Sequence, residues 1–411
     1  MAATRREFLK YTLGSSALLS FGLDVPGFLA RTARAAADGT GAKGNVLVVV
    51  QLSGGNDGLN TVVPFADDAY GRGRTALRIT AAQALKVTDS IGLHPSLSGF
   101  TKLLEAGRLG IVQGVGYPNP DRSHFRSMDI WHSARPDLAT PPDGWLGRSL
   151  EAAPRGPGQD VPALHLGAEQ LPLALISQQR PVPSVVSLEN FRLRTENGAV
   201  APAALAELAA IEGPAEPPLL DFLRRGTLAA YASSGQVQAA LGDSKSPIEY
   251  PAFGLASRLK SMAQLIDAGL ATQIYYVSLD GFDTHANQGP GHAALLTELG
   301  GSFQAFVDDL AHRGHLDRVL VMTFSEFGRR VQENASAGTD HGAAAPLFVA
   351  GGRVQSGLIG AHPSLTDLDE GDLKHHTDFR RVYATLLDQW LACPSEPILA
   401  AKYEPLPLLK G

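Results

Sequence analysis

NVLVVVQLSGGNDGLN, residues 45–60, joins an uninterrupted apolar run to a glycine-rich turn. The apolar run is rich in β-branched residues, which is typical of a strand that is buried on both faces of a parallel sheet. The glycines that follow predict a tight turn from this strand into a helix. Asp57 lies in the turn and is a candidate metal ligand; the alternative is that it only shapes the turn.

Four further apolar runs resemble the first. They cover residues 108–117, 272–281, 317–324 and 345–352. Helical patterns lie among them; Leu299, Phe303 and Phe306, for example, recur at the spacing of one helix face. Apolar strands that alternate with amphipathic helices predict an α/β fold with a mostly parallel central sheet and helices on both faces.

Composition narrows the class of protein. The chain has 411 residues and a net charge of −6. Because it has no cluster of basic residues, the sequence argues against a nucleic-acid-binding protein. Residues 133–220 contain 13 of the 27 prolines, which predicts an irregular insertion over the edge of the sheet or over the site.

The N-terminus has the pattern of an export signal. TRREFLK, residues 4–10, places paired arginines before a weakly apolar segment, and small residues follow near positions 35–37. This order predicts a twin-arginine signal over residues 1–37 and a mature domain, residues 38–411, in the periplasm or outside the cell. The apolar segment is short and interrupted, so no integral membrane segment is expected in the mature chain. The alternative is a basic amphipathic helix of the mature domain.

Polar side chains follow several of the predicted strands. Ser123 comes after the second strand, Asp283 and His285 after the third, and Asp340 and His341 after the fourth. In a parallel sheet the carboxyl ends of the strands share one edge, where ligands bind. We therefore expect these side chains to meet there.

The adjacent pair Asp340–His341 is the clearest metal signal. Glycines flank GTDHG, so the loop could turn both side chains toward one or two ions. Asp283 and His285 are two residues apart, and in extended backbone both would face the same way. Carboxylate and imidazole ligands without thiolates suit zinc or manganese. The alternative for both stretches is a turn aspartate beside a solvated histidine.

Ser123 and Arg126 are the candidate catalytic residues. If a helix begins at this point, Ser123 lies at its N-terminus, where an anion is favoured. A nearby metal could lower the pKa of the hydroxyl and make it a nucleophile, and Arg126 could hold an oxyanion. The alternative is that Ser123 only caps the helix.

Several motifs together resemble one known family. LVVVQLSGGNDGLNTVVP, RSHFRSMDIW, GFDTHANQ, MTFSEFGRR with GTDHGAAAPLFVAGG, and DFRRVYATLLDQWL are similar to the exported DUF1501 proteins, described as sulfatase-like. More distantly, the arrangement resembles the alkaline phosphatase superfamily, whose members use two metal ions at the carboxyl edge of a parallel sheet.

The resemblance implies a role for each candidate residue. Asp57 would be the first-strand metal ligand, Asp340 and His341 the Asp-His pair, and Ser123 the nucleophile. Asp283 and His285 would bind the other ion together with a late histidine, His376 or His375. The resulting expectation is an exported hydrolase of small phosphate or sulfate esters that uses one or two divalent ions. The alternative is a non-catalytic exported binding or assembly protein that keeps the fold with one metal or none.

Overall fold

The computed structural model describes residues 44–152, 163–180, 182–186, 194–195, 198–199 and 246–410. The predicted signal, residues 1–37, and much of the proline-rich stretch lie outside these residues. Among the helices of the described residues, none is both long enough and apolar enough to cross a membrane.

The strands of the described residues are numbered in chain order. They are β1 (Val46–Ser53), β2 (Val62–Val63), β3 (Leu85–Lys86), β4 (Gly92–Leu93), β5 (Leu109–Gly116), β6 (Ala163–Leu166), β7 (Ser184–Val185), β8 (Arg194–Thr195), β9 (Gly198–Ala199), β10 (Ile274–Asp280), β11 (Val319–Phe324), β12 (Arg329–Glu333), β13 (Thr339–His341), β14 (Ala345–Ala350), β15 (Gly357–Ile359), β16 (Leu368–Asp369), β17 (Asp372–Leu373) and β18 (Thr377–Asp378).

The α-helices are numbered in the same way. They are α1 (Gly58–Thr61), α2 (Asp68–Gly73), α3 (Ser98–Glu105), α4 (His124–Ser133), α5 (Trp145–Ala152), α6 (Gly254–Asp267), α7 (Gln288–His312), α8 (Phe379–Thr385) and α9 (Ser395–Leu399). Short 3-10 turns cover Leu173–Leu175 and Leu316–Arg318, and a π-helical turn, Leu386–Trp390, continues α8.

The central sheet has the strand order β15-β5-β14-β11-β1-β10-β6-β7, and β18 also pairs with β5. β1 is parallel to both of its neighbours, β10 and β11. Among the described strands of this sheet, β14 alone runs antiparallel to its neighbours. The prediction of a mostly parallel sheet is therefore confirmed, and all five predicted runs are strands of it.

Each face of the sheet packs against helices. Along β1, Val48 and Val50 join a core with Phe303 of α7, whereas Leu47 joins a second core with Trp131 of α4. Successive strand residues point to opposite faces, so a continuous apolar strand needs a helix layer on both sides. This arrangement confirms the predicted layers.

The described part of residues 133–220 is more regular than predicted. β6 pairs in parallel with β10, and β7 pairs with β6, so this stretch extends the central sheet by two strands. The short run ALHL, residues 163–166, is fully buried because Leu164 and Leu166 join the core of one face of the sheet and Ala163 joins the core of the other.

The direction of the strands places the site. β1, β5, β10 and β11 run the same way, so the loops that follow them leave from one edge of the sheet. The hairpin of β12 and β13 follows β11 directly.

Candidate metal centre

Four side chains from three separate segments converge beyond this edge. His124 begins α4, Asp283 and His285 follow β10, and His341 ends β13. His285 Nε2 and His341 Nε2 are 2.9 Å apart. Asp283 Oδ1 lies 3.0 Å from His285 Nε2 and 3.3 Å from His341 Nε2, and Asp283 Oδ2 lies 3.4 Å from His124 Nε2. The predicted meeting of distant loops therefore occurs for these residues.

The spacing of these atoms suits a divalent ion. Tetrahedral zinc with bonds of about 2.0–2.1 Å holds its ligand atoms about 3.3 Å from one another. The distances from Asp283 to His341, 3.3 Å, and to His124, 3.4 Å, match this value, whereas His285 Nε2 lies closer to Asp283, at 3.0 Å, and to His341, at 2.9 Å. Donor atoms of His124, Asp283 and His341 also lie within 4.8 Å of one another.

An oxygen atom contacts Nδ1 of each imidazole on the side away from the cluster. This oxygen belongs to the Glu326 carboxylate for His124 (2.8 Å), to the main-chain carbonyl of Arg122 for His341 (2.8 Å) and to the Asp340 carboxylate for His285 (3.3 Å). A proton held on Nδ1 leaves the Nε2 lone pair free to bind a metal. His124 Nε2 is buried and has no hydrogen-bond partner among the described residues. The donor set therefore fits a metal ion.

The protonation of the cluster follows from its charged neighbours. Burial raises the pKa of Asp283, but the hydrogen bond and charge of Arg329 outweigh that effect and lower it to about 2. The hydrogen bond to Glu326 raises the pKa of His124, and burial lowers the pKa of His341. Asp283 is therefore ionised at neutral pH, as a metal ligand must be.

Glu326 orients one of the imidazoles. It lies two residues past the end of β11, is 1% exposed, and accepts hydrogen bonds from Gly54 N (2.9 Å) and from the Ser325 hydroxyl (3.1 Å) besides its contact with His124. Neither His124 nor Glu326 was among the residues assigned a role from the sequence. Glu326 comes two residues after β11, and His124 is the first residue of α4, the helix that follows β5; their positions after strands that end at this edge are the signal that could have found them.

Asp340 does not lie beside His341 in the cluster, contrary to the expectation for the pair. Residues 339–341 form strand β13, in which adjacent side chains point to opposite sides. Asp340 Oδ1 instead contacts His285 Nδ1 at 3.3 Å and accepts a hydrogen bond from Asn334 Nδ2 at 3.1 Å. It therefore orients His285 from the outside.

Asp57 differs more strongly from the expectation. It is 1% exposed, and its carboxylate receives Arg74 Nη1 at 2.5 Å, Arg74 Nη2 at 3.0 Å and Gln288 Nε2 at 2.5 Å. It also caps α1 through Asn60 N. Burial raises the pKa of Asp57, but Arg74 lowers it to about 2. The Asp57 carboxylate thus lies between a buried guanidinium and the start of α1, as the alternative interpretation of a turn-shaping residue expects.

Arg126 and His376 also lie away from the cluster. Arg126 donates to the carbonyls of Leu138 and Pro136, both at 2.7 Å. Residues two apart on a helix are about 200° apart around its axis, so Arg126 faces away when His124 faces the site. The His376 ring contacts the Thr377 hydroxyl on the far side of β5.

Ser123 lies at the rim of the centre. It is the residue before α4, it is exposed, and its hydroxyl does not cap the helix. Its two chain neighbours both contact the cluster, Arg122 through its carbonyl and His124 through its ring. Ser123 is therefore next to the centre.

Two recesses open beside the centre. The one nearer the ligands has a volume of about 370 Å³ and is lined by Gln51, Ser53, Gly54, His124, Phe125, Met128, Asp280, Gly281, Asp283 and Glu326. Phe125 is 87% exposed. The other, of about 650 Å³, is lined by Arg122, Asp372 and His375, among other residues. The first recess gives a small molecule direct access to His124 and Asp283.

Solved structures with a partly similar fold come from several bacteria. The PsFucS1 sulfatase from Pseudoalteromonas sp. is 11% identical, with a TM-score of 0.38 over 91% of this chain and 72% of that one. The periplasmic domain of EcEptC from Escherichia coli, in complex with Zn, is 10% identical, with a TM-score of 0.35 over 75% and 74%. A protein in the alkaline phosphatase superfamily from Vibrio parahaemolyticus is 8% identical, with a TM-score of 0.35 over 81% and 70%.

The sequence comparisons give a family. None of the curated protein sequences compared with the chain is similar to it. The family model described as "Protein of unknown function (DUF1501)" matches residues 45–391, a range that includes every strand of the central sheet and the whole candidate metal centre. The chain therefore belongs to the DUF1501 family, as its motifs predicted.

Proposed function

We propose that this protein is an exported, metal-dependent hydrolase of small phosphate or sulfate esters, with Ser123 as its nucleophile. The observation that carries the proposal is the orientation of three imidazoles. His124, His285 and His341 each have Nδ1 against an oxygen atom and Nε2 close to Asp283. Such fixed, converging nitrogen atoms are typical of a metal site.

The residues present can hold a divalent ion, with zinc or manganese as the favoured candidates. A bound divalent ion would supply Lewis-acid chemistry to an ester oxygen and to a nearby hydroxyl. The protein itself keeps the ligands oriented: Glu326 holds His124, and the carbonyl of Arg122 holds His341.

Ser123, the chain neighbour of His124, would react with an ester bound beside the centre. Its Oγ would bond to phosphorus or sulfur as the bond to the ester oxygen breaks, and the alcohol would leave with the proton that the hydroxyl gives up. Water would then release phosphate or sulfate and restore the hydroxyl. The exposure of Ser123 leaves it open to substrate and to that water.

The recess of about 370 Å³ is the proposed place for the organic part of the ester. It shares His124 and Asp283 with the metal centre, and Phe125 offers an exposed aromatic ring at its border. Contact between an exposed aromatic ring and an apolar group removes both from water and therefore favours binding.

Two observations favour the alternative of a non-catalytic binding protein. Asp57 is neutralised by Arg74, and Arg126 is held by main-chain carbonyls, so neither is free to act on an ester. A protein with this fold could therefore keep one metal without turnover.

Turnover and metal content separate the two functions. The mature chain would be saturated with Zn²⁺ or Mn²⁺ and assayed with 4-nitrophenyl phosphate and 4-nitrophenyl sulfate. We expect hydrolysis of one of them by the wild type, loss of turnover with unchanged metal content in Ser123→Ala, and no change in Ser90→Ala, a control at an exposed loop serine. Full activity in Ser123→Ala would contradict the assigned nucleophile, and metal without turnover would favour the binding protein.

A further inference from the structure

One buried cation is built into the candidate metal centre. Arg329 begins β12 and is 1% exposed. Its Nε donates to the Gly55 carbonyl at 2.7 Å, and its Nη1 donates to the Thr339 carbonyl at 2.7 Å. Its Nη2 donates to the carbonyls of Phe282, at 3.1 Å, and of Gly54. The guanidinium thus joins the loops after β1 and β10 to β13.

The same guanidinium contacts two members of the cluster. Arg329 Nη2 donates to Asp283 Oδ1 at 2.7 Å, and Nη1 lies 3.4 Å from His285 Nε2. A guanidinium has five N–H donors in a fixed planar fork and no acceptor. Because these contacts engage all three of its nitrogen atoms, Arg329 cannot turn away from the centre and is a positioning residue.

A fixed positive charge lies directly against the candidate ligands. Arg329 Nη2 contacts the Asp283 carboxylate, and Nη1 faces His285 Nε2. A further cation bound at these two atoms would lie beside the guanidinium and be repelled by it.

We infer that the centre binds one divalent ion per chain through His124, Asp283 and His341, and that the Arg329 guanidinium, which contacts Asp283 and His285, provides a fixed positive charge where another ion would bind. This inference deepens the proposed function and rests on its metal site. It also follows from the ligand set, since Asp57, which would be needed for another ion, is already paired with Arg74.

The number of ions tests the inference directly. The mature protein would be dialysed to equilibrium against Zn²⁺, and its metal content per chain would be measured by mass spectrometry, with anomalous scattering at the zinc edge in crystals. We expect one ion. Two ions would overturn this inference and leave the hydrolase proposal intact, whereas no ion would remove the basis of both.

Ligand variants show whether one ion uses side chains from separate segments. We expect His124→Ala and His341→Ala each to weaken the same single binding event by at least tenfold in a titration with Co²⁺ followed by its visible absorption. Unchanged Co²⁺ affinity in either variant would remove that residue from the ligand set. His312→Ala is the control, at an exposed histidine at the end of α7.

The charge of Arg329 is tested with a matched pair of variants. Arg329→Lys keeps the charge and Arg329→Gln removes it, and both lose most of the hydrogen bonds to carbonyls. If the charge opposes further cation binding, Zn²⁺ binds Arg329→Gln about tenfold more tightly than Arg329→Lys. Equal affinities would show that Arg329 acts only through structure. If either variant fails to fold, the ion count of the wild type still decides between one ion and two.

Discussion

Glu326→Gln is expected to weaken metal binding while the protein still folds. Glu326 Oε1 accepts hydrogen bonds from Gly54 N at 2.9 Å and contacts His124 Nδ1 at 2.8 Å. A glutamine oxygen can take the same position with both contacts. Its NH₂ group then faces the Ser325 hydroxyl, whose proton can turn to the Leu52 carbonyl so that its oxygen accepts from the new amide. The fold should therefore persist.

The expected magnitudes follow from what is lost. A charge-assisted hydrogen bond to His124 becomes a neutral one, so the free energy of unfolding should fall by about 0.5–1.5 kcal/mol. The His124 imidazole also becomes a weaker ligand. Loss of such an orienting carboxylate lowers metal affinity about 10–100-fold, which corresponds to about 1.4–2.7 kcal/mol of binding free energy.

Zinc affinity would be measured by competition with a chromophoric chelator, and stability by urea unfolding of the metal-free protein. Ser325→Ala is the matched control: it removes another hydrogen bond to Glu326 but keeps the carboxylate on His124. Wild-type zinc affinity in Glu326→Gln, or an equal loss in Ser325→Ala, would refute the assigned role of Glu326.

Four other expectations concern residues around the centre and in the core. Phe125→Ala should raise KM for 4-nitrophenyl phosphate severalfold, because its ring borders the recess proposed for the organic part of the ester. The free energy of unfolding should change by less than about 0.5 kcal/mol, because the ring is 87% exposed. Steady-state kinetics and urea unfolding measure the two effects, and an unchanged KM would contradict the proposal that the ester binds in this recess. Asp57→Ala should lower the free energy of unfolding by about 3–5 kcal/mol, since it leaves a buried Arg74 without its partner, while the metal content of the folded protein stays the same; loss of the ion would restore Asp57 as a ligand. Asp340→Ala should weaken zinc binding about tenfold and not abolish it, because Asp340 contacts only Nδ1 of His285; an ion that is lost entirely speaks for direct coordination. Burial lowers the pKa of His132 to about 3, below the value of about 6.5 in the unfolded chain, so the folded protein loses stability as the pH falls below 6.5. The free energy of unfolding should therefore fall by about 2 kcal/mol between pH 7 and pH 5 because of His132, and His132→Gln should remove this part of the fall. Identical dependence of the unfolding free energy on pH in the wild type and the variant would contradict this expectation.

Local sequence patterns were sufficient to predict the fold class, because an uninterrupted run of apolar residues indicates a strand that is buried on both faces. The run at residues 45–52 could be a strand only where helices cover both faces, and the structure has helices on both faces. Its partners β10 and β11 carry the same pattern, and their common direction brings Asp283 and His341 together. The short strands β6 and β7 were missed because two to four residues carry too little periodicity.

The sequence by itself determined the strands and the edge of the sheet at which their loops meet. It also supplied the carboxylate of Asp283 and the imidazoles of His285 and His341 as candidate metal ligands. Only the tertiary structure decided the role of each side chain, because a role depends on neighbours that are distant along the chain. Arg74 turned Asp57 into an internal ion pair, and Arg329 placed a fixed charge against Asp283. No local pattern encodes such pairings, since they arise from the packing of separate loops.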